Sequence, residues 1–300
     1  MEAEEEEEKE HEPDFEPKGT GVNRYTYFVA KDSLSEWTKL PDLEPSHIKA
    51  SRLIKVLLTG DLERPIFTNP FFDGQEKHYL RAQIARISAS TTLIPKGLMR
   101  PVEDSETREV EENTPEEGDI VMPSTSAMNA LDMWVHANKN ILLNGTTSLK
   151  QPEPPEGEDW DEDTTNAKMK ELLDSDPYAP LLAPICDDSK ISVSKTLHQP
   201  AWSVKLMGDS TEYKGVSNGV VVVRSLQWPG SYSFYNNGQF QQIYVGNGHK
   251  YEQAASFYPI DPPLIEEDPA EFEGPEEPAQ NAPVVAEAPA EEEEAPAEDD

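Results

Sequence analysis

The spacing of apolar residues divides the chain into stretches of helical period, stretches of alternation, and stretches with neither. Residues 25–29 (Tyr-Thr-Tyr-Phe-Val) are aromatic and β-branched and predict a short strand. Trp37 and Leu40 follow, and Leu40-Pro41-Asp42 breaks the chain. Glu44-Pro45-Ser46 opens a helix, with Pro in its first turn. Ile48, Leu53, Ile54, Leu57 and Leu58 give that helix a broad apolar side. Lys49, Arg52 and Lys55 lie elsewhere on it, and Gly60 is its natural stop. Residues 65–74 read as a loop with two buried aromatics, Phe71 and Phe72. A second helix is predicted over 76–88, where Leu80, Ile84 and Ile87 form one stripe. Residues 91–94 read as a strand that Pro95-Lys96-Gly97 ends.

Residues 101–122 are acidic and carry no period. A third helix is predicted over 125–143, capped by Ser124 and ended by Gly145. Met128, Leu131, Trp134, Val135, Asn138, Ile141 and Leu142 hold its spacing. Residues 150–170 read as a linker. From Leu181 the texture turns to β. Trp202, Val204 and Leu206 alternate with polar residues, residues 220–223 are a valine run, and Tyr232, Phe234, Phe240, Ile243 and Val245 flank the tight turn Asn236-Asn237-Gly238. Beyond Tyr258, Pro259, Pro262 and Pro263 suggest an extended arm.

The fold class is therefore α+β: helices plus an antiparallel β meander, with disordered acidic termini and an acidic linker. The expected divisions are an acidic leader at 1–24, an α/β module with basic helices at 25–100, an acidic insert at 101–178 containing the helix at 125–143, a β-rich module at 179–260 and an acidic tail at 261–300.

Charge sharpens this division. The 300 residues carry a formal net charge of −34. Residues 1–17 contribute −9, 101–178 contribute −15 and 261–300 contribute −16, whereas 18–100 stand at +5. Runs such as Glu4 to Glu8 and Glu291 to Glu294 repel themselves and bury nothing, so both ends read as disordered. Roughly 160–190 residues remain, enough for one ordinary core. The tails give solubility or bind a basic partner. The acidity argues against nucleic acid and anionic membrane as partners. Met1 followed by glutamates is unlike a signal or transit peptide, and no run of apolar residues approaches a membrane span, so the chain reads as soluble and intracellular.

Candidate chemistry is sparse. Cys186 is the one cysteine, which excludes an intrachain disulfide and a Cys-based zinc site, and it reads as a buried structural thiol. None of His11, His47, His78, His136, His198 and His249 is paired at metal-ligand spacing. The glycines at 215–219 and Gly246-Asn247-Gly248 read as turns, since no phosphate-binding loop motif contains them. No nucleophile elbow occurs, and the carboxylates lie in solvated runs. The expectation is no enzyme, no cofactor and no metal. Arg81 and Arg86 on the second helix either pair with acidic residues of this chain or make forked contacts with a partner.

Several runs, taken in order, resemble the radial spoke head family of the spoke head protein 4 and 6 type. Tyr27-Phe28-Val29 and Trp37-Thr38-Lys39-Leu40-Pro41-Asp42 come first. Then come Ile54-Lys55 with Leu58-Thr59-Gly60-Asp61-Leu62, and Tyr79-Leu80-Arg81-Ala82-Gln83-Ile84-Ala85-Arg86-Ile87-Ser88-Ala89. Trp134-Val135-His136 with Ile141-Leu142 continues the series, followed by Pro180-Leu181-Leu182-Ala183-Pro184-Ile185. Trp228-Pro229-Gly230, Ile243-Tyr244-Val245-Gly246 and Gly248-His249-Lys250-Tyr251 complete it. The chain departs from the family in its short glutamate-rich start, in Gly145-Thr146-Thr147-Ser148 where Gly-Arg with a nearby Trp is usual, and in Asn247 where a Trp is usual.

The resemblance implies a non-enzymatic subunit of the radial spoke head in the axoneme of motile cilia and flagella, passing mechanical signals from the central pair to dynein. It implies other spoke head subunits as partners, paralogues included, in a homo- or heterodimer, with transient contact to central pair projections and neither nucleic acid nor membrane. Tyr79, Arg81, Gln83, Arg86, Trp134, Trp228 and Tyr244 are the candidate assembly contacts. The rival readings are an acidic binding module or chaperone for basic proteins, and an enzyme of unrecognised type.

Overall fold

The computed structural model describes residues 16–103, 105, 108–115, 121–154, 159–192, 198–208, 211–213 and 216–251. The expectations for residues 1–15 and for the tail and proline arm beyond 251 lie outside the described residues. The described end of the leader is built into the fold: Glu16 and Asn23 are buried. Asn23 donates from its amide to the Glu16 and Leu43 carbonyls and accepts from Leu43 N–H.

The first elements are strands β1 (Phe28–Val29) and β2 (Thr38–Lys39), paired antiparallel. Helix α1 (Pro45–Leu53) follows, its start closed by Glu44 N–H donating to the His47 ring. It ends at Leu53, seven residues before the expected stop at Gly60. Residues 54–58 run extended instead, because Ile54 and Val56 turn inward while Lys55, Leu57 and Leu58 face out. Side chains of the second helix hold this segment in place, as described below.

Helix α2 (Glu76–Thr91) runs three residues past its expected end. Gln75 N–H donates to the His78 ring at its start. The predicted stripe of Leu80, Ile84 and Ile87 is not its most buried side. Leu80 and Ile84 are half-buried, whereas Tyr79, Ala82 and Ala85 face α1 and the loop before α2. Arg81, Gln83 and Glu76 are also buried, so α2 is enclosed on nearly every side.

Strands β3 (Leu93–Pro95), β4 (Met99–Pro101), β5 (Val110–Glu112) and β6 (Trp134–His136) come next, with β3 paired to β6 and β4 to β5. Two expectations fail here. The acidic stretch 101–122 contains β5, and the helix expected over 125–143 does not form. That stretch holds turns, a single 3-10 turn at Leu131–Met133, and β6. Trp134 and Val135 are consecutive and both buried, which a strand covered on two faces achieves and a surface helix does not. The Trp134 indole N–H donates to the Met128 carbonyl and fixes the preceding turn.

Helix α3 (Glu162–Ser175) lies partly in what reads as linker. The Asp161 carboxylate caps it by accepting from Thr164 N–H, and Glu162 and Asp163 suit its N-terminal dipole. Strands β7 (Ile191–Ser192) and β8 (His198–Gln199) pair with each other. Then come β9 (Trp202–Met207), β10 (Glu212–Tyr213), β11 (Val216–Ser217), β12 (Val220–Ser225), β13 (Ser231–Asn236) and β14 (Gln239–Tyr244). The expected meander forms as a four-stranded antiparallel sheet in the order β14-β13-β12-β9. Asn237 and Gly238, at φ 46° and 84°, make the tight β13–β14 turn.

One core joins segments that the sequence assigns to three modules. Leu93, Met128, Trp134, Ile185, Trp202, Val221, Val223 and Tyr235 pack together. Trp134 meets Tyr235 edge to face, with ring centres 6.2 Å apart. The Tyr235 hydroxyl donates to the Pro123 carbonyl, and Asn237 N–H donates to Thr125 Oγ1 at 3.1 Å. The tip of the β13–β14 hairpin is thereby tied to residues 123–125.

Candidate assembly surfaces

Helix α2 positions most of the candidate contacts, and it points them inward. Arg81 is 1% exposed; its Nη2 donates to the Val22 carbonyl at 2.7 Å and its guanidinium lies 4.5 Å from the Tyr27 ring centre. Burial pulls its pKa down from the ordinary arginine value. Arg86 Nη1 donates to the Ser51 carbonyl of α1 at 2.6 Å and to Gln83 Oε1 at 3.1 Å. The Arg86 guanidinium also lies over Trp228, 5.4 Å from its centre. Both arginines donate to backbone carbonyls, a third arrangement beside the acidic pairing and the partner fork that the sequence leaves open. They couple α2 to the N-terminal segment, to α1 and to the meander.

Tyr79 is buried, and its hydroxyl accepts from Val56 N–H at 3.3 Å and donates to the Ile54 carbonyl at 3.5 Å. Gln83, Trp134 and Trp228 are buried as well. Tyr244 is half-buried; its hydroxyl accepts from Gly248 N–H at 2.9 Å, and burial raises its pKa. The seven candidates thus lie within or against the chain's own packing.

Glu76 and Arg52 belong to the same framework, and the sequence reading misses both. The Glu76 carboxylate, 1% exposed, accepts from Thr59 N–H at 2.8 Å, Thr59 Oγ1 at 2.7 Å and Gly60 N–H at 2.7 Å, and pairs with Arg64 Nε at 3.2 Å. Burial opposes its charge, but these donors and Arg64 together hold its pKa below the ordinary glutamate value. Arg52 Nη2 donates to the Ile141 and Leu142 carbonyls at 3.0 and 2.9 Å. An acidic residue in a first helical turn was the one available signal for Glu76; its partners are too far away in sequence to read.

His47, His78, His136 and His249 make structural contacts. His47 and His78 stack with ring centres 4.9 Å apart, and each caps its own helix. His136 pairs with Asp188 at 3.0 Å, and the Trp202 indole N–H donates to the same carboxylate at 2.5 Å. His249 meets the Val56 carbonyl at 3.0 Å. Among the described residues no group of three metal-ligating side chains comes together, and no helix is long and apolar enough to cross a membrane. Cys186 is exposed rather than buried, because the short turn Ile185–Asp187 sends Ile185 into the core and the next side chain outward.

Large apolar side chains do reach solvent. Leu53 and Leu57 flank the end of α1 at 71% and 73% exposure, and Phe67 is 84% exposed. Phe71, expected inside with Phe72, is 69% exposed; Phe72 alone fills the interior against Tyr79. Trp37, beside β2, is 73% exposed.

A family model described as radial spokehead-like protein matches residues 2–294. The chain belongs to the radial spokehead-like family. It is 34% identical over 263 residues to radial spoke head protein 6 homolog A of Mus musculus, covering 83% of this chain and 35% of the relative. It is 33% identical over 277 residues to radial spoke head protein 4 homolog A of Homo sapiens, covering 89% and 37%. It is 35% identical over 250 residues to flagellar radial spoke protein 4 of Chlamydomonas reinhardtii, covering 83% and 49%. This radial spokehead-like chain therefore spans between about a third and a half of the length of these relatives.

Proposed function

We propose that the chain is a non-catalytic structural component of the radial spoke head in the axoneme of cilia and flagella. The observation that carries this reading is the family match over residues 2–294. The geometry supports it. The arginines and aromatics of α2 make a stiff internal frame, and Leu53, Leu57, Phe67, Phe71 and Trp37 stand on its outside as the contact residues. The buried candidates act on assembly from within, by fixing where those side chains stand. The partners are other spoke head subunits, paralogues included. Contact with the central pair is transient: like charge on the acidic ends gives a soft repulsion that salt screens within about 8–10 Å, so mechanical signals pass to dynein without permanent adhesion.

The test is to express the tagged chain in cells that build motile cilia and extract their axonemes. Retention through detergent and release only at high salt is expected. Recovery wholly in the detergent-soluble fraction as a monomer would overturn the assignment. The net charge of −34 also favours a second reading, an acidic module that binds basic proteins. That reading requires salt-sensitive capture of a basic protein by the acidic ends alone.

A further inference from the structure

A cleft of about 1030 Å³ opens between the N-terminal segment, the later half of α2, the loop after β6 and residues 178–182. Its volume is at the top of the usual range for ligand sites. Val22, Ala85, Ile141, Leu181 and Leu182 give it an apolar floor. Its charged lining is more basic than the chain as a whole: Arg24, Arg108, Lys139 and Lys150 stand against Glu16 and Glu109.

Glu16 is spent within the wall. Its Oε1 accepts from Thr147 N–H at 2.8 Å and Thr147 Oγ1 at 2.6 Å, and its Oε2 accepts from Val22 N–H at 2.8 Å. The cations come from separate stretches of chain that line the same cleft. Lys139 has its pKa lowered by burial first and then by the nearby charge of Arg108, against the opposing charges of Glu109 and Glu16. The Arg108 guanidinium lies over Tyr178, 4.2 Å from its ring centre, with Nη2 donating to the Ala179 carbonyl at 2.5 Å. Its Nη1 is buried and has no hydrogen-bond partner. Four cations against two carboxylates, one of them engaged by the wall, make the cleft favourable to an anion.

We propose that this cleft receives a glutamate-rich segment of a partner protein. A guanidinium takes a carboxylate in a matched two-point contact. The cations come from three separate stretches of chain, which suits several carboxylates spaced along one peptide. α2 lines the cleft with Ala85, Ser88 and Ala89 from its C-terminal half, so the N-terminus of α2 is not there to cradle a lone phosphate. The apolar floor takes the methylene stems of glutamates.

The probe is a fluorescein-labelled peptide copying residues 287–300, which contains the Glu291 to Glu294 run. Its anisotropy is titrated with the intact chain, beside a counterpart carrying Gln at each acidic position. Saturable binding of the acidic peptide, weakened by salt, is expected. Arg108→Gln and Arg24→Gln should each weaken it about tenfold, and Lys205→Gln, on β9, should leave it unchanged. Should Arg108→Gln unfold by circular dichroism, Arg24→Gln carries the test alone, since that side chain is exposed. Equal binding of the two peptides, wild-type affinity in the Arg24 variant, or displacement of the peptide by inorganic phosphate at equal concentration would overturn the proposal.

Discussion

The backbone of Gly145 rests directly on the first turn of α1: a side-chain carbon added there would stand 2.6 Å from the Pro45 carbonyl oxygen. Its φ of 94° is a conformation that other residues avoid. Gly145→Ala therefore combines a clash with backbone strain and is expected to cost about 2–3 kcal/mol. Urea unfolding followed by circular dichroism measures it; a midpoint within error of the wild type would contradict the packing described.

Arg86 ties α2 to α1 and lies over Trp228 in the same gesture. Arg86→Lys keeps the charge but loses the planar stacking and the fixed fork, so it should destabilise by about 1–2 kcal/mol. Arg86→Ala should cost more, and near-ultraviolet circular dichroism should report the altered Trp228 environment in both.

The pH dependence has two sources of the same sign. Glu76 has a pKa lowered by its donors, so the unfolded chain binds its proton first as pH falls. Its contribution is complete above the unfolded value near 4.5 and is lost as pH drops through the folded value. Glu76→Gln should flatten the stability profile in that window, and a profile that keeps its slope would disprove the role given to the carboxylate.

His78 acts at higher pH. Burial first, and then the adjoining His47, lower its pKa from 6.5, so the folded chain holds it neutral. Neutral Nδ1 accepts from Gln75 N–H; protonated it cannot. Stability is expected to start falling as pH drops below about 6.5 and to keep falling to the folded value. His78→Asn, which retains an acceptor, should remove that part of the slope in unfolding curves taken from pH 7.5 to 5.5.

The outer apolar residues should behave oppositely to the inner ones. Leu57→Ser and Phe67→Ser remove no internal contact of note and should shift stability by no more than about 0.5 kcal/mol. Axonemal retention should nevertheless drop. Retention indistinguishable from the wild type in the double variant would remove these positions from the contact surface.

Much of this fold was legible where local chemistry and tertiary fate agree. The meander announced itself through alternation and through Asn237-Gly238, a turn pair whose conformation few other residues tolerate. Helix α2 was legible in position but not in orientation. Its apolar stripe is real, yet Arg81 and Gln83 are buried because carbonyls of distant segments receive them, and no periodicity encodes distant carbonyls. Residues 125–143 misled for a related reason. Met128, Leu131, Trp134 and Val135 keep helical spacing, but the strand offered by β3 and the core around Tyr235 decide their conformation. Helix α3 was hidden by composition, since its acidic cap and first turn resemble the linker before it. The candidate contacts were legible as residues of structural weight, but the burial of Tyr79, Arg81, Gln83, Trp134 and Trp228 was not.

The bond between Asn237 and Thr125, together with that between Tyr235 and Pro123, staples two stretches more than a hundred residues apart. Because Leu93, Met128 and Trp134 share a core with Val221, Val223 and Tyr235, a protease that nicks the chain once between the two stretches should not release a fragment. The two pieces would travel together through a sizing column and part only in denaturant, so an intact elution profile says nothing about whether the polypeptide is still continuous.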